Sequence, residues 1–518
     1  MVKKENSIPM RLFPLHNLLN KWIKQKVPYT WIYSLIAAAL FFGSLYLFAI
    51  PAEMHNKNAA NVGIVLVIIF YICLGFLVMN FKPKEALVTV SGDLGKADFV
   101  SKNQLKQAHL INGGSGIVFG KLSHSFVERP TDKDGHVAIV GGTRTGKTSS
   151  NLIPTIVRWQ GTGLILDVKP EILAKTGHLK ENKKVLSLKS KQDCYNPLQF
   201  IRTISDVLDL SKILIPISPD IKETYFKTTA QNILASASWE FKDTLSLSDL
   251  AAWLCDTQAS EIVELLQKSS KRETRILINA VDNIKTEQLA SVMNELRNTL
   301  IPYAIDEQLR YITGSNGVTL SDIETNWIYI ELEENKLEVY NAFLALVISQ
   351  FVKYLASRKE YQEPRILLAL DEFSRIGKID LLVDSIATLG GRGITTMILF
   401  QSLAQLDKVY GSDSRKIIMD NIHYTLVHNA TDTESQKYFS DRAGMKTSIV
   451  QSMSRDNDRW SLKKNHSYNQ QSTPLIRPEE FANLEKPILF AYQVGICTIE
   501  KSYWFKNTEM KRLLEIES

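Results

Sequence analysis

Along the first eighty positions, two apolar runs stand out from their polar surroundings. Residues 30–50 (TWIYSLIAAALFFGSLYLFAI) and 62–79 (VGIVLVIIFYICLGFLVM) contain no charged side chain. A helix of about 20 residues rises about 30 Å, the thickness of a bilayer's hydrocarbon layer, so each run is long enough to cross a membrane. The linker between them, PAEMHNKNAAN, is short and polar. Beyond position 80 the pattern changes. ILLAL (366–370) is a continuous apolar run of strand length, the signature of a strand buried on both faces of a parallel sheet, HVAIV (136–140) is a second short apolar run, and TTMILF (395–400) reads as the next strand. Helical spacing alternates with them, in SSNLIPTIVRW after the first strand and in YFKTTAQNILASASWEF and TEQLASVMNELRNTL within 203–301. The pattern predicts an α/β protein with a separate all-helical block and a two-helix transmembrane anchor.

The chain has 518 residues, room for two to four domains. Its 61 Lys plus Arg against 55 Asp plus Glu suggest a nucleic-acid binder, but the excess sits in the first 30 residues, where Lys3, Lys4, Arg11, Lys21, Lys24 and Lys26 face only Glu5. This excess bears on topology. A basic tail before the first run, Lys82 and Lys84 after the second, and a linker whose one cation is Lys57 predict a two-pass hairpin with both termini cytoplasmic. The helical block is weakly acidic, with 10 Lys plus Arg against 14 Asp plus Glu over 204–300. It is poorly suited to gripping phosphates over its whole face, and protein docking or a plain packing role fits it better. Cys73, Cys194, Cys255 and Cys497 show no paired spacing, so neither a disulfide framework nor a zinc site is signalled.

The candidate chemistry begins where the first buried strand ends. Gly141, Gly142, Thr143, Arg144, Thr145, Gly146, Lys147 and Thr148 fit G-x-x-x-x-G-K-[ST], with Ser149 next, between a strand and a helix as a phosphate-binding loop requires. Glycines let backbone N–H groups turn inward around phosphate oxygens, Lys147 reaches the β and γ phosphates, and Thr148 is the expected Mg²⁺ ligand. ATP and Mg²⁺ are therefore the expected substrate and cofactor. The second strand ends in Asp371, expected to hold the metal through water, and Glu372, expected to activate the attacking water. The third ends at Gln401, a candidate sensor of the γ phosphate. Arg392, in the turn Gly390-Gly391-Arg392-Gly393, is a candidate finger for a neighbouring subunit's ATP site, although a solvated arginine in a turn reads equally well. Residues 451–475 (QSMSRDNDRWSLKKNHSYNQQSTPL) interleave Arg455, Arg459, Lys463 and Lys464 with Trp460 and Tyr468. That mixture suits a loop gripping single-stranded nucleic acid, and equally a solvated loop.

Several stretches together resemble the coupling ATPases of type IV secretion and conjugation. They are LGKADFVSKNQLKQAHL (94–110), GIVFGKL (116–122), GGTRTGKTSSNLIPTIVRWQGTGLILDVKPE (141–171), CYNPL (194–198), LALDEFSRIGKID (368–380), GRGITTMILFQSLAQLDKVYG (391–411) and PLIRPEEFANL (474–484). The resemblance implies a RecA-like motor domain with an inserted all-helical domain, assembling as a homohexamer around a channel in the bacterial inner membrane. Its implied partners are DNA, single-stranded and protein-linked, relaxase-type or effector proteins, and subunits of the secretion channel. The sequence departs from the family around Lys169, where Val168 and Pro170 replace the commoner proline and glycine, so Lys169 receives no fixed role.

These readings divide the chain into a basic tail (1–29), a membrane hairpin (30–80), a nucleotide-binding domain (81–202 and 302–518) and an inserted helical domain (203–301). The expected function is an ATP-driven coupling protein that moves DNA, DNA–protein complexes or effectors into a secretion channel. Two alternatives stand beside it: a chromosome-segregation translocase, whose usual multi-span anchor and winged-helix end are not visible, and a receptor whose ATP binding serves assembly with little turnover. An ATP-binding-cassette transporter is disfavoured by the absence of an LSGGQ-like signature.

Overall fold

In the computed structural model, Ile68 and residues 95–217, 221–281, 284–455 and 464–515 are described. The basic tail and both runs expected to cross a membrane, Ile68 aside, lie outside the described residues. Among the described residues no helix is long and apolar enough to cross a membrane.

The described chain contains thirteen strands. They are β1 (Gly116–Leu122), β2 (Ser125–Pro130), β3 (His136–Val140), β4 (Thr162–Asp167), β5 (Lys183–Ser187), β6 (Trp327–Glu331), β7 (Ile366–Leu370), β8 (Ile394–Phe400), β9 (Ile422–Val427), β10 (Met445–Arg455), β11 (Lys464–Pro474), β12 (Ile488–Ala491) and β13 (Gly495–Thr498). Nine of them form one sheet in the order β13-β12-β9-β3-β8-β7-β4-β6-β5. From β9 to β5 every pairing is parallel, and β12 and β13 add an antiparallel edge.

The apolar runs fold as strands because both faces of the sheet are covered. In β3, Val137 and Ile139 enter one core while Ala138 and Val140 enter the other. In β7, Leu367 and Ala369 face the first core and Ile366, Leu368 and Leu370 the second. Each completely buried aliphatic side chain is worth roughly 1.5–3 kcal/mol, so this central strand contributes strongly to stability. The helix Leu337–Leu355 covers one face and buries Phe343, Leu344, Val347, Phe351 and Leu355. The β1–β2 hairpin covers the other face through Ile117, Phe119 and Val127.

Between β5 and β6 the chain is helical, from Ile204–Leu214 through Ile221–Phe241, Leu247–Asp256, Ala259–Gln267, Arg272–Ile278 and Thr286–Ile305 to Glu307–Thr313. Local signals start these helices. Thr203 and Asp206 form a reciprocal capping box, and the Ser246 hydroxyl accepts the Asp249 N–H. The helix beginning at Thr286 runs straight through position 301, the expected end of the insertion, with Pro302 in its final turn. Asp306 then caps the next helix by accepting the N–H groups of Gln308 and Leu309, so helical structure continues to Thr313. The chain re-enters the sheet at β6, between β4 and β5.

Residues 451–475 differ from the expected loop. β10 and β11 pair antiparallel in unbroken register from Met445 opposite Pro474 to Arg455 opposite Lys464. The segment is the distal part of a long two-stranded hairpin. Arg459, Trp460 and Lys463 belong to the connection between the two strands, outside the described residues.

Candidate nucleotide site

β3, β8 and β7 are adjacent and parallel, so their C-terminal ends open on one edge of the sheet, where ligands bind in open α/β sheets. That edge gathers Lys147, Thr148, Asp371, Glu372 and Gln401. The loop leaves β3 at Gly141, whose N–H donates to the Phe400 carbonyl at the end of β8. Gly146 at φ +94° lies in the region that favours glycine, and Arg144 at φ +62° also turns left-handed. Thr143 and Arg144 are exposed, while the Thr145 hydroxyl closes the loop on the Gly142 carbonyl at 2.8 Å. A helical turn starts at Thr148 and continues into the helix Ile153–Arg158.

Lys147 is buried, and its ammonium donates to the Gly141 carbonyl at 2.6 Å and the Gly142 carbonyl at 3.1 Å. The charge is thus folded back onto its own loop. Burial lowers its pKa, opposed by the nearby Glu372 and Asp371. The Thr148 hydroxyl donates to Asp371 Oδ2 at 3.3 Å, which places a hydroxyl and a carboxylate together as Mg²⁺ ligation requires. Burial, reinforced by Glu372, pushes the Asp371 carboxyl up to about 6, against the pull of Lys147 and Lys169. A buried carboxylate beside a hydroxyl fits a divalent cation. The donor set is oxygen only, which suits Mg²⁺.

Glu372 is buried and sits at φ +50°, a left-handed conformation that costs a non-glycine residue on the order of 1–3 kcal/mol. Its N–H donates to Asp371 Oδ1 at 3.0 Å, and its own carboxylate accepts from Gln401 Nε2 at 3.3 Å and Lys169 Nζ at 3.5 Å. Gln401 is held in turn by Gln405, and Gln405 by the Ser374 hydroxyl. The strained turn and this relay aim the carboxylate along the edge. Lys169, left without a role from sequence, is therefore the cation that faces Glu372.

Arg392 lies elsewhere. It precedes β8, so it sits on the N-terminal edge of the sheet, separated from Gln401 by the length of a strand of seven residues, roughly 20 Å at about 3.3 Å per residue. Its guanidinium donates to the Arg358 carbonyl at 2.5 Å, and Arg358 Nη1 donates back to the Arg392 carbonyl at 2.7 Å. Within one chain it cannot meet the phosphates. A catalytic role for it would have to lie in a neighbour's site.

The structure adds a set of residues that sequence reading missed, behind and beside the loop. Asn429 follows β9 and accepts the Gly142 N–H at 2.8 Å. His428 contacts the Thr145 carbonyl at 3.1 Å and Asn151 Oδ1 at 2.8 Å, and burial drives its pKa down to about 3. Both residues are positioned by the closing motif, since the Ala430 N–H donates to the Phe481 carbonyl and the Phe481 ring packs on Phe439. After β13, Lys501 Nζ donates to the Thr145 carbonyl at 2.8 Å, the Ser502 hydroxyl to the Ser150 carbonyl at 2.7 Å, and the Tyr503 ring lies against Gly146. A Cβ on Gly146 would stand 2.8 Å from that ring, a second reason for glycine there. These contacts join residues up to 356 positions apart, so no local pattern announces them.

Asp167, at the end of β4, is fully buried. Its Oδ2 accepts the Leu173 N–H, its Oδ1 has no hydrogen-bond partner, and burial pushes its carboxyl up to about 7.

Known proteins share this framework. The solved structure of the bacterial conjugative coupling protein TrwBdeltaN70 superposes with a TM-score of 0.63 at 17% identity, covering 78% of this chain and 92% of that one. The fold is therefore α/β and RecA-like. Conjugal transfer protein TraG of Escherichia coli is 23% identical over 458 residues, covering 76% of this chain and 71% of the relative. Protein VirD4 of Rhizobium rhizogenes is 22% identical over 405 residues, covering 74% of this chain and 60% of VirD4. The family described as Type IV secretory system Conjugative DNA transfer matches residues 88–516, most of the sequence, and the chain belongs to that family.

Proposed function

We propose that the protein is a membrane-anchored, Mg²⁺-dependent ATPase that couples hydrolysis to moving DNA, with attached protein, or effector proteins into a type IV secretion channel. The observation that carries this reading is the convergence of Lys147, Thr148, Asp371, Glu372 and Gln401 on one sheet edge. Solved TrwB structures hold the non-hydrolysable ATP analogue ADPNP, and ADP with Mg²⁺. By that likeness the loop from Gly141 to Ser149 takes the phosphates. Thr148 and Asp371 would hold the metal, which supplies charge neutralisation at the phosphate oxygens.

The chain's own groups divide the remaining work. Lys147 must exchange the Gly141 and Gly142 carbonyls for phosphate oxygens, so nucleotide binding reorganises the loop. Glu372 accepts the proton of the attacking water, and Gln401, already bonded to it, ties the state of that carboxylate to β8. Arg392 would then complete the site of the adjacent subunit, which makes turnover depend on a ring, read here as a hexamer. The charge-free runs 30–50 and 62–79 support a two-pass anchor in the bacterial inner membrane with both termini cytoplasmic.

The β10–β11 hairpin is the proposed DNA-binding element, because the sequence of its distal end concentrates Arg455, Arg459, Lys463 and Lys464 around Trp460. Neutralising those four cations should weaken single-stranded DNA binding by the full chain. It should also reduce the slope of log affinity against log salt by up to about 3, at about 0.7 for each phosphate that no longer meets a cation. ATP binding should survive. An unchanged slope would remove the hairpin from the DNA path.

A further inference from the structure

Two sides of the phosphate loop are furnished differently. On the β8 and β7 side stand the groups suited to the metal and the γ phosphate, Asp371, Glu372 and Gln401. On the β9, β12 and β13 side stands the strap after β13, which carries three consecutive aromatic residues, Tyr503, Trp504 and Phe505. Tyr503 touches Gly146. Its ring stacks on Phe505 with centroids 5.1 Å apart and planes 28° apart, and Trp504 meets Phe505 edge-on at 5.5 Å. Lys506 covers part of the Tyr503 ring at 5.2 Å. Phe505 remains 45% exposed, so part of the stack is open to solvent.

We propose that Phe505, carried on Tyr503, is the platform on which the base of the bound nucleotide stacks. This rests on the reading of Gly141 to Ser149 as the phosphate loop. A nucleotide with its phosphates in that loop and its γ end toward Asp371 sends its ribose and base away from the acids, toward the strap. The strap is anchored for this task at three points, by Lys501 on Thr145, Ser502 on Ser150 and Tyr503 on Gly146, so the ring stack moves with the loop. An aromatic face supports any base, because every base has a π-face, and the Phe505 ring itself offers no hydrogen-bonding edge to tell adenine from guanine.

The test is calorimetric titration of the full chain with ADP, GDP and inorganic tripolyphosphate. Phe505→Ala should weaken ADP and GDP together by about 5- to 150-fold, the range that one base stacked on an aromatic ring supplies. Tripolyphosphate, which has no base, should bind as before, and Phe505→Trp should retain ADP affinity. Unchanged ADP affinity in Phe505→Ala would overturn the platform. So would an equal fall for tripolyphosphate, which would mean that the strap only shapes the loop. Failure of the wild-type chain to bind either ADP or tripolyphosphate would instead strike the phosphate-loop reading itself, and the platform with it.

Discussion

The two edges of the central sheet bury charged groups in opposite ways. On the C-terminal edge the contacts among functional groups are long and incomplete. Thr148 to Asp371 and Gln401 to Glu372 are both 3.3 Å, Lys169 to Glu372 is 3.5 Å, and Asp167 Oδ1 is unpartnered. On the N-terminal edge Arg358 engages all three nitrogens of its guanidinium, with Glu324 at 2.9 Å through Nε and Nη2, with the Pro364 carbonyl at 2.9 Å and with the Arg392 carbonyl at 2.7 Å. Satisfied charge marks structure, and unsatisfied charge marks a place prepared for a ligand. Arg129 departs from this division. It is completely buried on the N-terminal side with Nε and Nη1 unpartnered, bonds Thr395 through Nη2, and lies under the Trp159 ring.

The contrast breaks most visibly at Arg392, which sits on the structural edge but is assigned a chemical role in a neighbour. Arg392→Ala should lower ATP turnover by about 10³- to 10⁵-fold with nucleotide affinity retained. Mixing it with Lys147→Ala should restore part of the activity, since some sites then pair an intact loop with an intact arginine. No recovery in any mixture that still forms rings would return Arg392 to a purely structural role.

Arg358 sharpens the same comparison at a smaller scale. Removing one partner of a buried pair leaves the other charge uncompensated, so Arg358→Met should lower unfolding stability by about 3–5 kcal/mol, read by chemical denaturation. Nucleotide affinity should not change. A loss of affinity without a loss of stability would mean that the two edges are not separate in function.

Acid should then move the two edges in opposite directions. His136, at the start of β3, accepts the Thr396 N–H through Nδ1 and donates Nε2–H to the Ile386 carbonyl, and burial lowers its pKa to about 4. Unfolded histidine takes up its proton near 6.5, so this group's contribution is complete above that value and is lost as pH falls toward 4. Asp167 has a raised carboxyl pKa of about 7, so the folded protein gains relative to the unfolded chain as pH falls from 7 toward 3.8. Each effect amounts to about 1.4 kcal/mol per pH unit. The stability gap between wild type and His136→Gln should therefore narrow from pH 7 to pH 5. The advantage of Asp167→Asn over wild type should be largest at pH 8 and shrink on acidification. Parallel pH profiles for wild type and both variants would show that neither burial has the assigned cost.

Sequence legibility follows the range of the interactions involved. β3, β7 and β8 are readable because a strand buried on both faces is apolar at nearly every position, and the phosphate loop because its glycines and lysine fall within one short segment. β6, WIYIE, does not stand out, since its place between β4 and β5 is set by strand order and not by its own five residues. The hairpin reads as a loop because β10 and β11 are polar and lack the alternation that marks a half-buried strand. Asn429, Lys501 and Tyr503 are invisible for a third reason. They meet the phosphate loop only after the chain has crossed the sheet several times. The proposed membrane hairpin rests on hydropathy and charge bias alone.

In the proposed function the C-terminal edge hydrolyses ATP with Glu372 as its base. Its most direct test pairs equilibrium binding of ADPNP with steady-state ATP turnover in the Glu372→Gln chain. The amide preserves shape but is a far weaker base, so binding should stay within about twofold of wild type while turnover falls about 10²- to 10⁴-fold. Wild-type turnover in that variant would contradict the account.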